Sequence, residues 1–249
     1  MREAQAIIER TVSLNEHYQH IHLSVENFST DLKPGQSLLA RLESPRWDPY
    51  LREQWWPVAL KSDEMVIERP GSVVYEPGQV VSIMGAVGQP FRYKRTLRNV
   101  LLIIDDTAPS PLIMSVPWLL GNSVSVTMVV SGAAQKYPTH RLPAEVEIIK
   151  ADDDLNWSNQ VMTVGWADQV FVVVKQDDEM RRMQRVWTIF KKLRATIDRS
   201  YLFGVMQPAL PCGVGACAAC LLALREGDIC TVCTQGPAID MTTLKLDDE

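Results

Sequence analysis

The pattern of apolar and polar positions divides the chain into stretches of different character. From residue 1 to about 97 the apolar runs are short, and several alternate or are β-branched. Residues 6–14, 21–25, 37–42, 58–60, 65–68 and 80–84 read as strands, with Pro34-Gly35 and Pro77-Gly78 as turns between them. Short strands in this number predict a small barrel. Beyond Arg95 the pattern changes. Residues 100–104 form a continuous apolar run, as a strand buried on both faces does, and residues 124–130, 146–149 and 170–174 repeat it. Residues 111–120 read as a helix stopped by Gly121. The clearest helix lies between Asp177 and Ser200, with Met183, Val186, Trp187, Phe190, Leu193 and Ile197 at helical spacing and Asp177 or Asp178 placed to cap it. Buried strands alternating with helices predict a parallel α/β sheet. The basic residues of that last helix, among them Arg181, Arg182 and Arg185, read as a solvated face, and Trp55-Trp56 as packing beside a strand.

Past Tyr201 the pattern gives way to chemistry. All five cysteines of the chain fall between positions 212 and 233. Thiols used for packing would be scattered, so this crowding predicts a metal centre. Cys212, Cys217, Cys220 and Cys233 are separated by four, two and twelve residues, the plant-type [2Fe-2S] spacing. Gly213, Gly215, Ala216, Ala218 and Ala219 let the backbone wrap closely and aim N–H groups at sulfur. The rival arrangement is zinc, since Cys217-x2-Cys220 and Cys230-x2-Cys233 are also two zinc knuckles. Zinc leaves Cys212 idle and the iron–sulfur reading leaves Cys230 idle; the glycine-rich interval between Cys212 and Cys217 favours the latter.

Composition narrows the partners. The 249 residues are 46% hydrophobic and 22% charged, ordinary for a globular chain, and a net charge of -5 argues against nucleic acid as the main ligand. The opening Met1-Arg2-Glu3-Ala4 and the short apolar stretch after it predict neither signal peptide nor membrane span, and hence a cytoplasmic location. No serine, histidine or carboxylate arrangement suggests hydrolysis. His20 and His22 share a strand face, but with no third ligand at an obvious spacing they read as surface residues rather than a metal pair.

Barrel, α/β domain and cysteine module, in this order, resemble the electron-transfer subunits of type B dihydroorotate dehydrogenases in the ferredoxin-reductase superfamily. Cys212 to Cys220 and Val232-Cys233-Thr234-Gln235-Gly236-Pro237 look like that family's CGxGxCxxC and VCxxGP pieces. The resemblance implies an α+β multi-domain chain: a Greek-key β-barrel of the FAD type at 1–97, a Rossmann-like α/β domain at 98–200 and a [2Fe-2S] module at 201–249. It also implies Cys233, not Cys230, as fourth ligand, and a catalytic flavin- or metal-containing oxidoreductase subunit as partner in a hetero-oligomer.

The nucleotide motifs depart from the family. Where a glycine-rich turn would meet a pyrophosphate, the chain has Ile104-Asp105-Asp106-Thr107-Ala108-Pro109-Ser110-Pro111-Leu112. Two carboxylates there predict repulsion of a dinucleotide, and the family's later Cys-Gly-Pro is here Val174-Lys175-Gln176-Asp177-Asp178. NAD(P) binding and independent NAD(P)H oxidation are not expected. For FAD, the Arg-Pro-x-Ser type motif becomes Trp56-Pro57-Val58-Ala59, with Arg52 as a substitute cation, and Gly71-Ser72 is a shortened echo of the second phosphate element. Trp56, Pro57, Val58, Gly71 and Ser72 are thus the candidate FAD contacts of a damaged motif. Gly85 to Phe91 resembles the corner that follows the family's barrel. Two functions of different class follow: an electron-transfer subunit relaying electrons through Cys212, Cys217, Cys220 and Cys233 with no acid–base residue of its own, or a non-catalytic scaffold whose cysteines hold zinc.

Overall fold

The computed structural model describes residues 2–25, 32–44, 50–61 and 63–246. Seven antiparallel strands form the first sheet: β1 (Arg2–Ser13), β2 (Tyr18–Ser24), β3 (Ser37–Leu42), β4 (Glu53–Trp55), β5 (Pro57–Leu60), β6 (Glu64–Pro70) and β7 (Val80–Val87), in the order β4-β3-β7-β1-β2-β6-β5. Alternation along each strand turns Ala6, Ile8, Ile21, Leu23, Ile67, Val81 and Ile83 into one interior, as a barrel-like sheet requires. The pattern missed β4, three residues whose partner is β3 (Leu38 opposite Trp55) and which carry too short a run to alternate.

The second sheet has the order β10-β9-β8-β11-β12-β15. Its strands are β8 (Asn99–Asp105), β9 (Ser125–Ser131), β10 (Glu147–Lys150), β11 (Gln169–Val174), β12 (Leu202–Val205) and β15 (Ala238–Asp240), all parallel except β15. The continuous apolar run of β8 has a direct cause. Leu101 and Ile103 enter one core while Val100, Leu102 and Ile104 enter the other, because helices cover both faces. Those helices are α1 (Ser110–Ile113), α2 (Ser115–Gly121), α3 (Gln160–Trp166) and α4 (Glu179–Leu193). The helix read at 111–120 is therefore two pieces that meet at Met114. β10, read as a buried strand, lies at the sheet edge with Glu147 and Lys150 exposed. α4 stops at Leu193, and Asp178 flanks its start at φ 59° without a side-chain cap bond.

The sheet draws two strands from beyond residue 200. β12 and β15 are neighbours, and the cysteine segment rises between them with its own hairpin, β13 (Leu221–Ala223) and β14 (Ile229–Thr231), followed by α5 (Val232–Gln235). Cys220, Cys230, Val232 and Cys233 share one apolar core with Val172, Val186 and Met206, so this segment is packed onto the α/β domain rather than tethered to it. Among the described residues no helix is long and apolar enough to cross a membrane.

Candidate functional site

The loop 207–220 turns back on itself at residues that tolerate a left-handed backbone: Gly213 (φ 65°), Gly215 (φ 77°) and Ala218 (φ 60°). The Gly215 N–H thereby donates to Cys233 Sγ at 3.1 Å. A side chain at 215 would start 3.2 Å from Thr234 Cγ2, so the approach is close as well as strained. The thiol of Cys212 is drawn down to about 6, mostly by the N–H of Val214, with the N–H and thiol of Cys217 adding to it. Cys220 and Cys233 form a second hydrogen-bonded thiol pair, and Cys233 is pushed up to about 11 by burial and by Cys220. Cys212 thus interacts with Cys217 and Cys233 with Cys220, while Cys212 also raises Cys233 and Cys220 raises Cys230. Cys217 is exposed, Cys212 partly so, and the second pair is buried.

Cys230 is also buried, opposite Leu222 in the hairpin, with its thiol raised by burial and by the nearby Cys220. Among the described residues no group of three or more His, Cys, Asp or Glu side chains stands close enough together to hold one metal ion. The second pair is held from both sides. The Val232 N–H donates to the Cys220 carbonyl at 3.0 Å, and the Gly88 N–H, in the corner after β7, donates to the Cys233 carbonyl at 3.0 Å. Gly88 sits at φ 84°, where a Cβ would meet the Gly236 carbonyl at 3.0 Å. The barrel corner that resembles the family therefore clamps the turn carrying the fourth cysteine.

At the carboxyl ends of the parallel strands the picture read from sequence needs correcting. Asp105 and Asp106 do not confront a ligand as unpaired charges. Asp105 is 2% exposed, accepts the Ser131 hydroxyl at 2.8 Å, and pairs with Arg182 at 3.0 Å and Arg185 at 2.9 Å. Asp106, at φ 56°, accepts the Ala133 N–H at 3.0 Å and pairs with Arg182 and Lys175. Burial raises its pKa, but the Ala133 N–H, Lys175 and Arg182 together hold it below the ordinary value. Arg182 and Arg185 are accordingly not a solvated face; they bind α4 to the end of β8. Lys175, Arg182, Arg185 and the Ala133 N–H at this end of the sheet are engaged by the chain's own carboxylates, so Asp105 and Asp106 stand as paired rather than free charges.

The candidate FAD contacts are similarly placed away from that use. Trp56 is buried at the position of the family's arginine, and Pro57 and Val58 are buried in β5, against which α1 packs. Arg52 turns to Glu3 and Ser82, while Arg69 is held by Glu53, by the Tyr75 hydroxyl and over the Trp55 ring. Gly71 heads no helix. Its N–H donates to the His17 carbonyl at 2.8 Å, and a Cβ there would lie 2.7 Å from the Glu16 carbonyl, while Ser72 is exposed in the same turn. These residues do not fit the pyrophosphate of a flavin dinucleotide, for which they offer no free guanidinium and no helix N-terminus. His20 and His22 are not surface residues either: His22 is 9% exposed with its Nδ1 2.6 Å from Glu64, and His20 Nε2 lies 3.4 Å from the buried Glu68.

A barrel-like sheet, a parallel α/β domain and a clamped pair of thiol pairs define a ferredoxin-reductase-like protein with an iron–sulfur binding domain. Residues 208–245 match the iron–sulfur cluster binding domain of dihydroorotate dehydrogenase B. Over 95% of its length the chain is similar, at 25% identity, to the electron transfer subunit of dihydroorotate dehydrogenase B (NAD(+)) from Shouchella clausii (strain KSM-K16), covering 96% of that protein. Among solved structures, the NADH-dependent reduced ferredoxin-NADP oxidoreductase shares the fold with a TM-score of 0.73 at 16% identity, over 97% of this chain and 90% of that one. The ferredoxin reductase in carbazole 1,9a-dioxygenase shares it with a TM-score of 0.59 at 13% identity, over 82% of this chain and 68% of that one. The chain is thus similar in sequence to the electron transfer subunit of dihydroorotate dehydrogenase B, and its cysteine module matches that enzyme's iron–sulfur cluster binding domain.

Proposed function

We propose that the chain is an electron-transfer subunit that holds a [2Fe-2S] cluster on Cys212, Cys217, Cys220 and Cys233 and relays electrons to or from a catalytic oxidoreductase partner. The pairing of the four thiols carries this reading. A two-iron core takes two thiolates at each iron, and the chain supplies Cys212 with Cys217 and Cys220 with Cys233. A single zinc ion would instead draw four ligands around one point. When bound, the cluster supplies one-electron chemistry. The chain's residues orient it: the Gly215 N–H reaches the Cys233 sulfur, Gly88 fixes the turn beneath it, and the small residues Ala216, Ala218 and Ala219 leave its outer rim exposed. Val214, Leu221 and Ile229 are exposed around the same rim, which gives a partner an apolar surface close to the thiols. With Asp105 and Asp106 sealing the strand ends, electrons enter through that partner rather than through a nicotinamide.

Anaerobic purification from the native source, followed by iron, zinc and acid-labile sulfide quantitation and EPR after dithionite reduction, tests the reading. The expected result is iron and sulfide in equal amounts, a paramagnetic reduced centre and a co-purifying oxidoreductase. Stoichiometric zinc with negligible iron would overturn the cluster; recovery of the chain alone would overturn the partner.

A further inference from the structure

The seam between the barrel and the α/β domain, beside Trp56 of the damaged FAD motif, is crossed here by side chains of this protein. Glu68, on β6, is 5% exposed and accepts the Ser110 hydroxyl at 2.6 Å from the start of α1. Its other oxygen lies 3.4 Å from His20 Nε2. The Tyr137 hydroxyl, which follows β9, faces the same carboxylate: burial, and then the negative charge of Glu68, raise its pKa far above the ordinary phenol value. Tyr18 of the barrel meets Tyr137 edge to face with ring centroids 5.2 Å apart, and burial with Glu68 pushes the Tyr18 hydroxyl up to about 12. Asn15 donates across the same seam to the Lys136 carbonyl at 2.9 Å.

These contacts have a common geometry. The Glu68–Ser110, Tyr18–Tyr137 and Asn15–Lys136 contacts each join the first sheet to the carboxyl end of the second, while His20 meets Glu68 within the first sheet. One Glu68 oxygen accepts the Ser110 hydroxyl while Oε2 has no hydrogen-bond donor, so the Ser110 bond is what offsets the burial of this carboxylate and ties the two domains at this point. A cleft of about 560 Å³ runs beside it, lined among others by Tyr18, Trp56, Glu68, Lys136 and Lys175. The buried Glu68 on its wall opposes a dianionic dinucleotide, and of the cations there Arg69 is paired with Glu53 and Lys175 with Asp106, leaving Lys136.

We propose that this seam is a structural joint in place of a flavin site: Glu68, with Ser110 and the Tyr18–Tyr137 pair, fixes the domains directly, and the chain folds and functions without FAD. The proposal stands apart from the identity of the cluster, because it concerns residues of the opposite face of the sheet from the cysteines.

The test uses the full chain with its metal centre, titrated with FAD up to 100-fold excess while flavin fluorescence and thermal unfolding are followed. No saturable quenching and no rise in Tm are expected. Glu68→Ala should lower Tm by about 5 °C and Ser110→Ala by about 3 °C, with the double variant no worse than Glu68→Ala alone, since both remove one interaction. The EPR signal of the reduced centre should be unchanged in Ser110→Ala, which serves alone if Glu68→Ala fails to fold. Saturable FAD binding that raises Tm, or a Ser110→Ala variant as stable as the parent, would overturn the proposal. Loss of the EPR signal in the parent would overturn the cluster instead and leave the joint standing.

Discussion

The cysteine loop and the strand ends of the second sheet both gather polar groups around a small volume, and they do so to opposite effect. In the loop, backbone N–H groups from Val214, Ala216 and Gly215 point at sulfur atoms, and the most exposed thiol belongs to Cys217. Four thiolates gathered there would carry negative charge that these N–H groups offset only in part. At the strand ends the reverse holds, since Asp105 and Asp106 supply the anions and Arg182, Arg185 and Lys175 the cations. The first region gathers thiols and N–H donors, whereas the second pairs its charges internally. An anion site is lost most simply by moving a carboxylate into it.

That contrast can be broken most decisively at the cysteines. Cys233→Ser should remove the cluster, seen as loss of the visible absorption and of the EPR signal, whereas Cys230→Ser should leave both nearly intact, because Cys230 belongs to neither thiol pair. Equal loss in both variants would show that the pairs do not define the ligand set.

A smaller effect is expected at the strand ends. Asp105→Ala leaves Arg185 without a carboxylate, Arg182 with Asp106 alone, and an empty space at the end of β8, and should cost about 3 kcal/mol of stability by urea unfolding. Asp106→Ala, at a more exposed carboxylate in a left-handed turn, should cost about 1 kcal/mol. If Asp105→Ala were neutral, the internal ion network would not be what seals this edge.

The smallest effect is a slope with pH. Glu179, at the start of α4, is raised to about 7 by burial, against a lowering contribution from the Gln207 N–H that it accepts at 2.7 Å. Its folded pKa lies above the ordinary 4.5, so between those values the folded protein binds more protons than the unfolded one and stability falls as pH rises. The loss is on the order of 2 kcal/mol between pH 4.5 and 7 and levels off above that. Glu179→Gln should flatten this part of the profile, as measured by Tm against pH; an unchanged slope would assign it to other groups. The comparison is sharpened because Gln207 opens the loop that leads to Cys212, and the cluster signal itself should not change with this substitution.

The local order of the chain was legible from spacing. Alternation in the first stretch and continuous apolar runs in the second follow from one buried face and from two, and the strands 37–42, 100–104 and 170–174 lie in β3, β8 and β11 with ends shifted by at most a residue. The crowding of cysteines at 212–233 was legible as well, and residues 208–245 match an iron–sulfur cluster binding domain. β4 and the break at Met114 were not, because three residues and a single turn are too short to carry a period. What the sequence by itself determined is therefore the type and order of most elements. The tertiary structure alone decided how the charges are used. Asp105 and Arg185 are eighty positions apart, and Glu68 and Ser110 forty-two, so nothing local links them. A carboxylate in a sequence has no sign of its partner. Whether it repels a ligand, replaces one or joins two domains depends on which distant cation or hydroxyl the fold brings within about 3 Å, where desolvation makes the pairing decisive.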